Sequence, residues 1–132
     1  MNWEITYIDG KNYVRIVSTG IFNVKELPRG FDALLSSDFW KKGIPLLFDN
    51  SDLSFENANF GAMKEASICY LYFAERLGPG KAVLLMKSAA NFGFGRQFQF
   101  LAEDKGERQI RVYSNEAEAL DWLLDPRNLA HY

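Results

Sequence analysis

The fold is decided by the stretch Ile44-Pro45-Leu46-Leu47-Phe48-Asp49, a nearly unbroken apolar run that ends in an acidic residue. Short apolar runs of this kind are typical of strands buried on both faces of a sheet. A second such run covers residues 82–86, and a helical pattern over residues 57–77, closed by Gly78 and Pro79, separates the two. Two buried strands joined through a helix require a crossover, so the sequence predicts parallel strands covered by helices.

Toward the amino terminus, the pattern changes to that of a half-buried hairpin. Residues 3–8 and 13–18 alternate apolar and polar side chains, as strands with one solvated face do. Asp9-Gly10 lies between them and suits the positive φ angles of a tight reversal. The sequence therefore predicts an N-terminal β-hairpin, which supplies an antiparallel edge to the sheet.

Helices and strands alternate along the rest of the chain. The helical pattern over residues 23–37 is weakened by Pro28 and Gly30, so we expect this helix to begin irregularly or to be split. The remaining predicted elements are a helix over 91–103, a strand over 110–113 and a helix over 115–124. The prediction is a single α/β domain over residues 1–132, in which an N-terminal β-hairpin precedes βα units and helices cover a mixed, mostly parallel sheet.

The composition excludes several classes of function. Fifteen Lys and Arg against 17 Asp and Glu give a net charge of -2, so no bulk field attracts nucleic acid. The chain has one cysteine, Cys69, and one histidine, His131, too few for a disulfide, a four-ligand zinc site or a Cys–His pair near the domain centre. We expect no catalytic residues, metal or cofactor. Without a signal-like start or a membrane-length apolar segment, we expect a cytoplasmic protein with no membrane span.

Three local patterns of core residues accompany this order of elements. They are Leu46–Asp49 followed by Leu53-Ser54-Phe55, residues 81–85 followed by 92–98, and residues 111–114 followed by 116–123. Together they resemble the STAS superfamily, the sulfate transporter and anti-sigma factor antagonist domains, and more closely its SpoIIAA-like branch of short stand-alone bacterial proteins. The resemblance spans nearly the whole chain and implies a SpoIIAA-like fold.

The resemblance also points to the loop after the third strand. In anti-sigma antagonists, a serine there accepts a phosphoryl group and so switches partner binding; the corresponding position here is Ala58, which cannot accept one. Asp49, Ser51, Asp52 and Ser54 are nevertheless candidate partner-binding residues of this loop. The alternatives for its carboxylates are capping of the following helix or a weak magnesium site, and we predict no metal site.

The segment Gly93-Phe94-Gly95-Arg96 follows a predicted strand and opens a predicted helix. Free N–H groups at a helix start can hold an anion, and an arginine adds a bidentate donor, so Gly93, Gly95 and Arg96 are a candidate anion- or ligand-binding site. The alternative is a helix start whose glycines allow close packing while Arg96 is solvated or ion-paired.

Aromatic residues make up 15% of the chain, including 11 Phe, which exceeds the needs of one small core. On the long helix, the predicted core stripe is Phe60, Met63, Ser67, Tyr70, Leu71, Ala74 and Leu77. Ile68 and Tyr72 project on the opposite side, and Phe100 lies about 200° around its own helix from Phe98. Ile68, Tyr72 and Phe100 are therefore a candidate interface. The alternative is that they are isolated exposed side chains or are covered by the chain ends.

These observations favour a non-enzymatic STAS-like interaction or regulatory module that forms a homodimer and could bind a further protein partner. The alternative is a carrier or sensor of a small apolar or amphipathic ligand, held between helices and sheet with Arg96 near its polar end. The resemblance adds to this alternative, because the SpoIIAA-like branch is often compared with lipid-binding Sec14-type domains. An enzyme ranks last, since no residue spacing indicates one.

Overall fold

A computed structural model describes residues 1–103 and 105–126 of the chain. Across these residues it contains six strands, four α-helices and a short 3-10 helix over Val24–Glu26. The strands are β1 (Asn2–Ile8), β2 (Tyr13–Ile21), β3 (Leu46–Asp49), β4 (Leu53–Ser54), β5 (Gly80–Leu85) and β6 (Arg108–Tyr113). The helices are α1 (Leu27–Leu35), α2 (Phe60–Leu77), α3 (Ala89–Ala102) and α4 (Glu116–Leu123).

The strands form one mixed sheet. β1 and β2 pair antiparallel through a turn in which Gly10 and Asn12 have positive φ angles of 82° and 55°. β2 then pairs parallel with β3, β3 with β5 and β5 with β6, which gives the order β1-β2-β3-β5-β6 for the described strands, while the two-residue β4 pairs with the end of β2. The predicted α/β class, amino-terminal hairpin and mostly parallel sheet are confirmed.

The helices cover the two faces of this sheet unequally. α1, α2 and α3 pack on one face, over residues that include Ile16, Leu46 and Leu84. α4 packs on the other face, over Leu47 and Val83. Successive strand residues point to opposite faces, so the neighbours Leu46 and Leu47, both fully buried, belong to different cores. We call the two sides the three-helix face and the α4 face.

Capping side chains fix where the helices begin. Asn59, Ser88 and Asn115 each accept a hydrogen bond from a backbone N–H three residues further on, at the starts of α2, α3 and α4. α2 therefore begins later than the predicted residue 57, and α3 begins earlier than the predicted residue 91. The irregular start expected for the helix over residues 23–37 is confirmed, because a 3-10 turn precedes α1 and Pro28 lies in the first turn of α1.

A buried arginine joins three segments at the amino ends of the parallel strands. Arg108 is 2% exposed, and its guanidinium donates hydrogen bonds to the main-chain carbonyls of Ile44, Leu77 and Lys81 at 2.7, 2.8 and 3.0 Å. These carbonyls lie before β3, at the end of α2 and in β5. Charge-assisted hydrogen bonds of this kind are strong, so this end of the sheet is firmly held.

The longest described helix, α2, is amphipathic. It has 18 residues, and Lys64, Glu65, Glu75 and Arg76 are exposed along its outer side. Within the part of the chain that the structure describes, no helix combines the length and the apolar character that crossing a membrane requires.

Candidate functional site

A cavity of about 100 Å³ lies between the sheet and the three helices α1, α2 and α3. Its walls come from strands of the three-helix face and from all three helices. Rings form much of its surface, and they belong to Trp3, Phe22, Phe31, Phe48, Phe55, Tyr70, Phe94 and Phe98. Much of the aromatic excess in the composition therefore surrounds one internal space.

Contacts between rings hold part of the cavity wall in place. Phe55 stacks on Phe22 and on Phe94, with ring centroids 5.2 and 5.8 Å apart. On the other side of the cavity, the ring of Tyr70 meets that of Phe98 edge-on at 5.7 Å. Packed aromatic rings have few rotamers, so they form a wall of defined shape. All three methionines of the chain, Met1, Met63 and Met86, also line the cavity and add adaptable side chains to it.

The polar part of the wall is small. Among the described residues that line the cavity, none has a charged side chain, and the polar side chains are Ser18, Asn50 and Tyr70. A site of this composition suits an uncharged, largely apolar molecule, because an unpaired charge in an apolar interior is strongly disfavoured. An engineered apolar cavity of about 150 Å³ binds benzene, so the volume here is on the scale of a small molecule or of one group of a larger one.

The cavity extends to the carboxyl ends of the parallel strands. Ser18 lies near the end of β2, Asn50 follows β3 directly and Met86 follows β5 directly, and all three line the cavity. In open α/β sheets, ligands bind at the carboxyl ends of the strands. One end of the cavity therefore reaches this edge of the sheet.

The candidate partner loop runs past this end of the cavity. Asp49 is the last residue of β3, and its carboxylate accepts a hydrogen bond from the main-chain N–H of Ser51 at 3.1 Å. Asp52 is exposed, and Ser54 lies in β4 beside the end of β2. The structure therefore brings Asp49 and Ser51 together and leaves Asp52 facing solvent. α2 is capped by Asn59 rather than by a loop carboxylate.

Asp49 belongs to an ion-pair network on the α4 face. The Arg15 guanidinium lies 2.6 Å from the Asp49 carboxylate and also pairs with Glu116 at the start of α4. Burial would raise the pKa of the Asp49 carboxyl, but hydrogen bonds from Ser51 and Arg15 outweigh that effect and hold the pKa below its ordinary value. Burial would likewise lower the pKa of Arg15, but its bonds to Glu116 and Asp49 raise it. Both groups stay charged at neutral pH and fasten β2 and β3 to α4.

Residues 93–96 do not open a helix, and that expectation is wrong. α3 begins at Ala89 behind its cap Ser88, so Gly93, Gly95 and Arg96 lie one turn or more inside the helix. Their N–H groups point toward carbonyls of the preceding turn and are not free for an anion. The cap decides the start, because the Ser88 hydroxyl accepts the N–H of Asn91 at 3.0 Å.

The two glycines of this segment have different surroundings. A Cβ added at Gly95 would come within 3.0 Å of Val112 Cγ1 and 3.1 Å of Met86 Cγ, so Gly95 allows α3 to approach the sheet closely. Gly95 is also part of the cavity wall. Gly93 and Arg96 are exposed. The close-packing alternative therefore describes Gly95, and Arg96 is on the solvent side of α3.

The candidate interface residues are exposed in the structure. Ile68 and Tyr72 on α2 retain 59% and 77% of their surface, and Phe100 on α3 retains 81%. We call Ile68 and Tyr72 the outer α2 surface; a shallow groove beside it continues to Val24 of the 3-10 helix. Phe60, predicted for the core stripe, is 55% exposed, and that placement is wrong because Phe60 is the first residue of α2 and lies at the edge of its buried face.

Among the described residues, those that could bind a metal ion do not come together. Cys69 is half-buried in the middle of α2, and burial raises the pKa of its thiol, which disfavours the reactive thiolate. Over residues 1–103 and 105–126, no group of three His, Cys, Asp or Glu is placed to hold a metal ion. His131 lies outside the described residues.

Sequence reasoning offered, as an alternative, a ligand between helices and sheet, but it did not identify the residues that form the cavity wall there. The hairpin residue Trp3, the loop residues Asn50 and Phe55, and Gly30 of α1 are far apart in sequence and meet only in the fold. The aromatic excess was the signal that could have indicated these residues, if each aromatic residue had been assigned to one face of the sheet.

One solved structure has the same architecture over most of its length. It is an uncharacterised protein of the DUF3478 family with a SpoIIAA-like fold, from Shewanella loihica. The two chains superimpose with a TM-score of 0.59 over 92% of each, at 13% sequence identity. No family model and no curated protein matches the chain. Likeness at this identity concerns the fold and not the activity. The chain has a SpoIIAA-like fold, which confirms the resemblance found in its sequence.

Proposed function

We propose that this protein is a non-enzymatic binding protein, a carrier or sensor of a small apolar or amphipathic molecule held in the cavity of the three-helix face. The observation that carries this proposal is the cavity itself, about 100 Å³ bounded by rings and methionines beside the carboxyl ends of β2, β3 and β5. This function was the alternative on sequence grounds, and the cavity now favours it.

The energetics support the same conclusion. Protein interiors are close-packed, and an unfilled apolar cavity costs about 24 cal/mol for each Å³. For a fully enclosed cavity of this volume, the cost to folding would be on the order of 2 kcal/mol. A molecule that fills the space restores the missing contacts with the walls and binds through them.

Toluene is a suitable first probe, with the methionine methyl groups as reporters. The protein is labelled at its methionine methyls, and toluene is titrated while the NMR signals of Met63 and Met86 are followed. We expect saturable shifts of both signals, because both side chains line the cavity. The variant Ala66→Leu, which adds three carbons to a lining position of α2, should lose these shifts.

A matched control lies on the same helix. Ala74 is half-buried on α2 and does not belong to the cavity wall, so Ala74→Leu should bind toluene like the natural sequence. Equal binding by Ala66→Leu and Ala74→Leu would place the toluene elsewhere. An absence of saturable shifts in the natural sequence would contradict the proposal directly.

A second candidate function is self-association or partner binding through the outer α2 surface. Its support is the exposure of two large apolar side chains four residues apart, with the Tyr72 ring held edge-on against Phe73 at 5.1 Å. Aromatic and aliphatic side chains of this kind are enriched in interface cores. In this proposal the protein is a homodimer with the outer α2 surface at its contact.

Sedimentation equilibrium tests the second candidate. The double variant Ile68→Glu and Tyr72→Ser should raise the dimer dissociation constant roughly 100-fold, because it removes apolar contacts and opposes two like charges across a symmetric interface. Lys64→Ser, an exposed change on the same helix, should leave the constant unchanged. A natural sequence that sediments as a monomer at high micromolar concentration would exclude the homodimer.

A further inference from the structure

Two of the three polar side chains that line the cavity, Ser18 and Asn50, are neighbours. Val17 of β2 and Asp49 of β3 are register partners in the parallel ladder, so Ser18 and Asn50 follow side by side, one residue further along. Both line the cavity, on the same face as Ile16 and Phe48. The aromatic and aliphatic wall therefore contains a polar spot near the carboxyl ends of these two strands.

The backbone on both sides of Asn50 is fixed. Its N–H donates to the Leu85 carbonyl at 3.0 Å, and its carbonyl accepts from the N–H of Leu53 at 3.2 Å. The side-chain amide donates to the Met86 sulfur at 3.7 Å. A thioether is a weak acceptor, so this contact leaves most of the hydrogen-bonding capacity of the amide unused.

From these contacts we infer that the cavity selects an electrically neutral ligand with a single hydroxyl or carbonyl group, recognised by Asn50 with support from Ser18. The inference rests on the proposed ligand-binding function and names its ligand class. A primary amide can donate to a carbonyl or accept from a hydroxyl, and the hydroxyl of Ser18, a buried residue, can do the same. A phenol or a small alcohol or ketone fits this arrangement.

Charged ligands are excluded by the same wall. The Met1 ammonium belongs to a lining residue and pairs with the Glu26 carboxylate at 3.5 Å. Arg15 and Asp49 pair with each other on the α4 face, on the opposite side of the sheet from the cavity. Among the described lining residues, no side chain could balance a carboxylate or an ammonium. Benzoate at neutral pH should therefore bind far more weakly than phenol of similar size.

Phenol and toluene make the decisive pair, because they have nearly the same shape and differ by one hydroxyl in place of a methyl. Their dissociation constants are measured through the methyl signal of Met63 in the natural sequence and in Asn50→Leu. The ratio of the toluene constant to the phenol constant should fall about tenfold in Asn50→Leu, because the hydroxyl loses its partner. Ser18→Ala removes a single hydroxyl and should lower the ratio about threefold. It replaces Asn50→Leu as the test if Asn50→Leu does not fold.

The control is Asn57→Leu, an exposed asparagine of the following loop that is not part of this cavity wall. It should leave the ratio unchanged. A ratio unaffected by Asn50→Leu and Ser18→Ala, or benzoate binding as tight as phenol, would overturn this inference while leaving the ligand-binding function intact. Failure of both toluene and phenol to bind would overturn the function and the inference together.

Discussion

The two faces of one sheet are built differently. On the α4 face, Leu47 and Val83 are fully buried against Ala119 and Leu123 of α4. On the three-helix face, the same strands contribute to the wall of a cavity. The two faces can differ because successive side chains of a strand point to opposite sides of the sheet.

Charged groups reinforce the α4 face. The Lys81 ammonium donates hydrogen bonds to the Trp122 and Asp125 carbonyls at 2.7 and 2.8 Å, and so satisfies the carboxyl end of α4. The same ammonium lies 5.0 Å from the centre of the Trp122 ring. Arg15 ties the other end of α4 through Glu116. α4 is thus held at both ends.

The three-helix face relies instead on rings. Phe31 stacks on Phe73 of α2 at 5.1 Å, and the Phe22, Phe55 and Phe94 rings form a row at the cavity. These contacts leave space between them, whereas Leu47, Val83 and Ala119 of the α4 face are fully buried. We therefore expect the α4 face to tolerate added side-chain volume less well than the three-helix face.

Adding side-chain volume to each face should have the largest effect on stability, and it tests whether the two faces differ in packing. Ala119→Leu on α4 and Ala66→Leu on α2 add the same three carbons to helix positions that are 0% and 4% exposed. Ala119→Leu should lower the free energy of unfolding by about 1–3 kcal/mol, because its surroundings are filled. Ala66→Leu should cost less than about 1 kcal/mol, because the cavity accommodates the added atoms. Urea denaturation at pH 7 measures both.

If both variants lose a similar amount of unfolding free energy, the three-helix face is as tightly packed as the α4 face, and the proposed difference between the two faces is wrong. The slope of the denaturation curve serves as the internal check, since an unchanged slope shows that a variant changes stability rather than the extent of the folded state.

Much of the fold could be predicted from local pattern. Residues 46–49 are apolar enough to indicate burial on both faces, and Asp9-Gly10 marks the hairpin. The start of α3 could not be placed by periodicity, because one serine hydroxyl, that of Ser88, fixes it. The prediction for Phe60 is wrong for a related reason. Helical spacing predicts the direction in which its side chain points, but Phe60 is the first residue of α2, where little of the core lies beneath the helix.

The cavity and the buried cations depend on tertiary structure and leave no local signal. Lys81 and Arg108 are 0% and 2% exposed, although lysine and arginine are among the residues least often buried. Each is tolerated because main-chain carbonyls from distant segments accept its hydrogen bonds. Asn50 is similar: its place in the cavity wall beside Ser18 depends on the register between β2 and β3, which the order of elements alone does not specify.

The smallest effect concerns the ion pairs of the α4 face. Asp49→Asn should lower the free energy of unfolding by roughly 1 kcal/mol or less at pH 7, because the pair with Arg15 is only partly buried. The exposed neighbour provides the control: Asp52→Asn should have no measurable effect.

At acid pH, the natural sequence and Asp49→Asn should have the same free energy of unfolding. Because folding lowers the pKa of the Asp49 carboxyl, its contribution is complete above the ordinary aspartate pKa near 4 and is lost as the pH falls through the lower value of the folded state. Urea denaturation from pH 7 to pH 2 should therefore show the two curves converging at the acid end. If the two free energies of unfolding still differ at pH 2, Asp49 acts through packing or its hydrogen bond with Ser51 rather than through its charge. Lys81 would then be the charged residue that stabilises the α4 face.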